Sequence, residues 1–395
     1  MGLRGRIREF FGLEGNLLPI VLLELSSNVG WNMFDVVWQP YVLSLGVSVP
    51  ILGALDSLKI ALMSVLQPLM GRLSDTLGRK TPISFSFVFT LSGLLIIIFT
   101  RSWLWLIPAM ILWAVSDSLW EPIFPALVSE SVSAEKRGAA FSVWSMAWFI
   151  PGFFAPALGG YLAYIWGYRS IMIFIFVGES LAALIFILYV KETYVSKEVF
   201  SFSELLRSFS GLLKVPSGLL RFYSVSIISR FAWFMGEGLL FAMLLKTYGF
   251  NMIQLGVLAN ALSLSVIVTQ IPIGRLVDRY GSKPFLIISR VVWALCFLGY
   301  LLARDFTGFI VVRLLRGLSV SAWEPAHNTY LANSVTDEQR SKTYGDLNCL
   351  KGLICFPAPI VGALLYETYE FTAPIMGGLV LVLVVIILLI PLEER

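Results

Sequence analysis

The 395-residue sequence is poor in charge, poor in cysteine and almost without histidine. Charged residues make up 14% of it, against roughly 25% in a soluble domain, and that shortfall excludes an ordinary water-facing surface. One histidine, His327, excludes a histidine-built metal centre. Cys296, Cys349 and Cys355 all fall in apolar runs, at spacings that fit neither zinc nor redox motifs, and read as unpaired core residues. The absence of a Gly-x-x-x-x-Gly-Lys-Ser/Thr loop points away from nucleotide hydrolysis and toward an ion gradient as the energy source. No nucleophile–base set appears, so an enzyme is the least supported class, and no cofactor or metal is expected. The start carries no cleavable signal pattern, because Arg4, Arg6 and Arg8 precede an apolar run of full spanning length.

What the chain has in excess is apolar length, with 57% hydrophobic residues and a mean hydropathy of +0.82. Segments long enough to cross a hydrocarbon core of roughly 30 Å at ~1.5 Å per residue fall at 17–43, 50–71, 82–100, 103–128, 139–165 and 168–190 in the first half. The second half gives 220–246, 252–274, 284–303, 307–331, 343–367 and 372–391. Helices satisfy their own backbone polar groups in lipid, so an all-α membrane protein of twelve transmembrane helices is predicted. Of 29 lysines and arginines, six lie within the spans and four (Arg101, Arg169, Lys246, Arg304) in loops on one side. The remaining 19 share the side of the N-terminus, which predicts cytoplasmic termini at the cell membrane. Between the halves, Phe202, Leu205, Leu206 and Phe209 recur at helical spacing among charges, the pattern of an amphipathic surface helix.

The chain is written twice. Gly71-Arg72-Leu73-Ser74-Asp75-Thr76-Leu77-Gly78-Arg79-Lys80 returns as Gly274-Arg275-Leu276-Val277-Asp278-Arg279-Tyr280-Gly281-Ser282-Lys283, an offset of 203 residues. Trp120-Glu121-Pro122 returns at that offset as Trp323-Glu324-Pro325, and Gly53, Arg137, Pro156 and Gly159 return as Gly256, Arg340, Pro359 and Gly362. The duplication predicts two pseudo-symmetric six-helix bundles, 1–190 and 220–395, joined by a linker at 191–219, with a transporter's site at the repeat interface.

On these residues the chain resembles the major facilitator superfamily, whose loop between spans 2 and 3 reads Gly-x-x-x-Asp-x-x-Gly-Arg-Arg/Lys. Gly71, Asp75, Gly78, Arg79 and Lys80 match it, while the second copy has Ser282 in place of the arginine. Glu130 and Arg137 fit a pattern that several branches carry after span 4, and Asn333 replaces the glutamate in the second copy. Pro151 to Gly160 looks like the antiporter motif ending Gly-Pro-x-x-Gly-Gly, with Ala155 for its first glycine. The exporters' span 4 arginine is missing, with Trp113 in that region and Arg313 and Arg316 as echoes in span 10. The resemblance implies alternating access, with Gly71, Asp75, Gly78, Arg79, Glu130, Arg137 and Asp278 as a cytoplasmic latch. Physically, Gly71 suits a close helix approach, Asp75 a helix N-terminus, Gly78 a tight turn, and Pro156 a kink.

Nine carboxylates and six cations lie in or beside the spans. Each costs roughly 2.5–3.5 kcal/mol at a lipid-facing helix centre, so most must face inward or a partner. Glu24, Asn28, Trp31, Asp35 and Trp38 share one face of span 1, and Trp113, Asp117, Trp120 and Glu121 one face of span 4. Arg230, Trp233 and Glu237 do so in span 7, and Arg316, Trp323, Glu324 and His327 in span 10. The resemblance places spans 1, 4, 7 and 10 around the cavity. Carboxylates among tryptophans suit an organic cation through charge pairing and cation–π contact, or its exchange for protons. The expected site is Asp35, Glu121 and Glu324 first, with Trp31, Asp117, Trp120, Glu237, Trp323, His327 and Arg316. Glu179 and Arg290 sit in spans that face outward in the family and have no role beyond packing or snorkelling. The leading expectation is a monomeric, proton-coupled exporter of amphiphilic cations, its partners a small molecule, protons and the bilayer but no nucleic acid. The alternative is a proton-coupled importer of a sugar or organic acid, clamped by Arg230, Arg313, Arg316 and Lys351; a sensor of the same fold is a third class.

Overall fold

The computed structural model describes residues 15–133, 137–194, 215, 217–335 and 337–393, without the side chains of 137–139, 142, 217 and 337–342. The amphipathic linker helix expected around Phe202 to Phe209 therefore lies outside the described residues. Twelve helical stretches among those described have the length and hydropathy to cross a membrane, from Leu17–Ser44 to Thr372–Leu389. Contacts gather them into two compact units, Met1–Val37 with Lys59–Gly211, and Trp38–Leu58 with Leu212–Arg395. The end of span 1 and the start of span 2, Trp38–Leu58, thus belong with the second unit, a division the sequence repeat does not follow.

Helix starts follow local chemistry. Asn251 opens span 8 (Met252–Tyr280) with a reciprocal cap, its Oδ1 accepting from Gln254 N at 3.0 Å while Gln254 Oε1 accepts from Asn251 N at 3.0 Å. Asp305 Oδ1 accepts from Gly308 N at 2.9 Å and starts span 10 (Phe306–Asn333). Span 4 (Leu106–Glu130) and span 10 run unbroken through Pro122 and Pro325. Breaks fall elsewhere. Span 5 divides into Arg137–Gly152 and Ala155–Trp166, and span 11 into Asp337–Cys355 and Ala358–Tyr369, at equivalent points of the repeat. Pro156 was expected to kink span 5, but it lies in the first turn of the second piece, where its missing N–H costs no hydrogen bond. Span 7 also breaks, between Leu220–Gly236 and Leu240–Tyr248, whereas its counterpart span 1 is continuous.

The repeat is visible in packing. A Cβ on Gly159 would lie 2.6 Å from Met33 Cβ, and one on Gly362 would run into the Met235 carbonyl oxygen, so spans 5 and 11 press on spans 1 and 7 at matching glycines. Ser116 Oγ donates to Ser86 O at 2.9 Å, and Ser319 Oγ donates to Ser289 O at 2.8 Å, tying span 4 to 3 and span 10 to 9 at the same offset. The three cysteines are free and buried.

Candidate functional site

In the first unit, a cavity of about 520 Å³ opens between spans 1 to 6. Five carboxylates line it, Glu24, Asp35, Asp117, Glu121 and Glu179, and one cation, Lys59. Its walls include the indoles of Trp31, Trp113, Trp120, Trp144 and Trp148. Helix periodicity explains the convergence: steps of three and four bring Glu24, Asn28, Trp31 and Asp35 down one side of span 1. Lys59 Nζ bonds Asp117 Oδ2 at 2.7 Å and stands 5.9 Å from the centre of the Trp113 ring. Trp31, Phe34 and Trp113 meet edge to face with centroids 5.1 to 5.6 Å apart. Trp120 stacks on Phe124 at 4.0 Å. Asp35 is exposed to the cavity and makes no hydrogen bond or ion pair among the described residues. Glu121 is likewise exposed.

Glu179, for which the sequence suggested only packing, lines this cavity and accepts from Ser27 Oγ and from Trp31 Nε1 at 2.5 Å. Glu24 accepts from Asn28 Nδ2 at 2.7 Å and Trp144 Nε1 at 2.8 Å. A glutamate eleven positions past the start of span 6, among apolar residues, was the available signal, and assigning span 6 to the lipid face hid it.

The second unit arranges its charges differently. Glu237 and Arg316 form a buried ion pair, with Arg316 Nε 2.9 Å from Glu237 Oε2 and 3.1 Å from Oε1. Trp293 Nε1 adds a bond to Glu237 at 3.0 Å, and its ring lies 4.4 Å beneath the Arg316 guanidinium. Arg290 is buried between Trp293, at 4.7 Å, and Trp323, at 3.6 Å, and this stacking is the role that the sequence did not supply. His327 lies between Phe222 and Trp323 with its Nε2 2.9 Å from Ser226 Oγ. Glu324 is exposed and makes no hydrogen bond or ion pair among the described residues, so it is not gathered with His327 by a direct bond.

The loop after span 2 is mostly helix. Span 2 runs Val49–Leu77, leaving Gly78, at φ +84°, to turn the chain into span 3 (Lys80–Phe99). Arg79 is the hub. Its Nη1 meets Asp75 Oδ1 at 2.7 Å and Ser74 Oγ at 2.6 Å, and its Nη2 meets Glu130 Oε1 at 3.0 Å. Asp75 was expected at a helix N-terminus, but it sits in the last turn of span 2, and Glu192 takes the capping role. Glu192 accepts from Arg79 N at 2.8 Å, Lys80 N at 2.9 Å, Thr193 N at 3.0 Å and Tyr194 N at 3.1 Å. Partial burial pushes this carboxyl up, but those backbone donors outweigh it and hold it below the ordinary glutamate range. Burial also opposes the Arg79 charge, and the bonds to Glu130 and Asp75 reverse that and raise its pKa. Thr193 Oγ1 donates to Glu130 Oε2 at 2.7 Å, and Arg79 lies over the Tyr194 ring at 4.5 Å. An added Cβ on Gly71 would meet only Pro122 Cβ at 3.8 Å, an ordinary contact, so no close approach requires this glycine here. The Arg137 side chain lies outside the described residues. Asp278 is exposed and makes no hydrogen bond or ion pair among the described residues.

Twelve spans in repeated halves, an internal cavity and an arginine-centred loop define a membrane transporter. The Major Facilitator Superfamily profile matches residues 20–256 and 222–395, and the chain belongs to that family. It is 26% identical over 344 residues to the multi-drug resistance efflux pump PmrA homolog of Lactococcus lactis, covering 85% of this chain and 83% of that protein. It is 22% identical over 333 residues to the multidrug resistance protein MdtG of Klebsiella pneumoniae, covering 81% and 78%. Among solved structures, a peptide transporter POT bound to sulfate superposes with a TM-score of 0.74 at 14% identity, covering 94% of both chains. The human organic anion transporter MFSD10 gives 0.70 at 17% identity, covering 94% of this chain and 98% of that one. The protein is a multi-pass membrane transporter of small molecules.

Proposed function

We propose that this transporter exports amphiphilic organic cations in exchange for protons. The observation that carries the reading is the balance of the first unit's cavity, with five carboxylates against one lysine and indole walls. Asp35 and Glu121 meet the positive charge, and Trp31 and Trp120 take the apolar body through cation–π and dispersion contact. Asp117 is held in reserve by Lys59. The multidrug names of the relatives support export of such compounds. In the second unit, Glu237, Arg316, Trp323 and His327 hold the bundle together, and Glu324 is the acid available to substrate there. The importer alternative is weakened by its own clamp: Arg316 is neutralised by Glu237, and Arg313 Nε donates to the Leu258 carbonyl at 3.1 Å. The network of Asp75, Arg79 and Glu130 acts as the cytoplasmic latch. The protein works as a monomer in the cell membrane with both termini cytoplasmic, without nucleic acid and without catalysis.

The test is a proteoliposome assay under an imposed pH gradient, following a cationic dye. Wild type moves the dye, and Asp35→Asn and Glu121→Gln each lose most of that movement. Undiminished gradient-driven movement in both variants contradicts the assignment.

A further inference from the structure

Two buried carboxylates of the first unit have no cation paired with them among the described residues. Glu24 and Glu179 are 5% and 4% exposed, and neither lies within ion-pair distance of a lysine or arginine among the described residues. Each is met by two neutral donors, Asn28 and Trp144 on Glu24, Ser27 and Trp31 on Glu179. The charged groups nearby deepen the problem. Asp117 faces Glu179 from span 4, and Glu24 and Glu179 face each other from spans 1 and 6, all acidic. Lys59 of span 2 is engaged by Asp117 at 2.7 Å, and spans 3 and 5 offer the cavity neutral groups such as Thr90 and Trp144. A buried carboxylate without a counter-charge is costly in a membrane bundle. A proton removes that cost and still leaves acceptor lone pairs for both donors.

We propose that Glu179, with Glu24 as its like-charged neighbour, is the proton-binding site of this transporter, separate from the carboxylates that meet the cation, and that Trp31 links the two sites. This rests on the cation-for-proton reading above. The Trp31 indole N–H is bonded to Glu179, while its ring lines the cavity and stands edge-on to Trp113 at 5.6 Å. A cation seated against that ring presses on the group that orients Glu179, and its charge favours the carboxylate. The exchange balances: the Glu179 carboxyl gives up one proton to solvent, keeps the O–H electron pair as carboxylate, and one positive charge takes the proton's place. The site lies in span 6, on the side of the bundle where the sequence suggested lipid contact.

The experiment uses the full chain purified in detergent, titrated with tetraphenylphosphonium in weakly buffered solution containing a pH dye. Wild type is expected to release about one proton per cation bound, by linkage of the two equilibria. Glu179→Gln is expected to bind the cation, release no proton and lose the pH dependence of its affinity. Unchanged proton release in Glu179→Gln overturns the proposal. A wild type that binds no cation overturns the cation reading instead, and the proton site is then decided on wild type alone. Dicyclohexylcarbodiimide adds only to protonated carboxyls in apolar surroundings, so peptide mapping should find its adduct on Glu179, fading as pH rises. An unmodified Glu179 peptide at every pH overturns the proton site, including in the case that Glu179→Gln fails to fold.

Discussion

At one pair of positions related by the 203-residue repeat, the first unit holds Phe34 and Trp113 and the second holds Glu237 and Arg316. The rings of the first pair meet edge to face at 5.2 Å, and the second pair closes as a buried ion pair at 2.9 Å. The scaffold around them is shared, since Ser116 and Ser319 make the same hydrogen bond to the neighbouring helix in both units. Two copies of one bundle have therefore diverged in what they do with charge. The second unit locks its arginine and glutamate together under Trp293, with side chains 8% and 3% exposed. The first unit lacks that lock and leaves its acids around a cavity, and the ion pair lining that cavity, Lys59 with Asp117, stays about one third open at 32% and 37%. The difference teaches that the accessible charge pair of this chain lines a cavity, whereas its counterpart is closed off from one.

The largest effect that can break this comparison is on stability. Glu237→Ala strands the Arg316 guanidinium in the second unit and should cost about 3–5 kcal/mol, read as a lowered thermal unfolding midpoint of the purified protein. Asp117→Asn, which opens the exposed pair of the first unit, should cost about 1 kcal/mol or less while impairing dye transport. Equal destabilisation by the two would remove the distinction. Next in size is Trp113→Arg, which writes the second unit's residue into the first. A guanidinium in the cavity should weaken cation binding by about tenfold or more, roughly 1.4 kcal/mol, measured by titration calorimetry.

The loops give smaller contrasts. Glu192→Ala removes the cap on span 3 and should cost about 1 kcal/mol. Because Glu192 is held below the ordinary glutamate range, its contribution is fully present above that range and is lost as pH falls through the lowered value. Wild type and Glu192→Ala should therefore converge in stability on strong acidification and differ at neutral pH. A constant difference down to the acid limit would assign the effect to something other than this carboxylate. The smallest effect is expected for Asp278→Asn, within about 0.5 kcal/mol, since that acid has no partner in the described second loop. Asp75→Asn, which takes a bond from Arg79, should shift the labelling of cysteines introduced on the two membrane faces, and unchanged labelling would count against a latch.

The twelve spans and the duplication were legible because apolar length and a fixed offset are properties of the chain itself. The stripes of Glu24 to Asp35 and of Trp113 to Glu121 were legible because helix periodicity assigns a face from spacing alone. Other features depend on which helix lies opposite. Glu179 could not be placed without knowing that its face of span 6 meets Ser27 and Trp31. Arg290 needed Trp293 and Trp323 in space. Glu192 lies more than 110 positions from the two N–H groups of span 3 that it caps, and no local pattern joins them. The breaks in spans 5 and 11 were half legible. Their prolines flag a discontinuity, and packing decides that it falls before Pro156 rather than at it.

The claim that cations bind in the first unit's cavity is tested most directly by calorimetric titration of tetraphenylphosphonium into purified wild type, the double variant Asp35→Asn with Glu121→Gln, and Glu324→Gln. The account predicts that the double variant loses binding, while Glu324→Gln keeps most of it. Binding that survives in the double variant and disappears in Glu324→Gln would place the site in the other half of the chain.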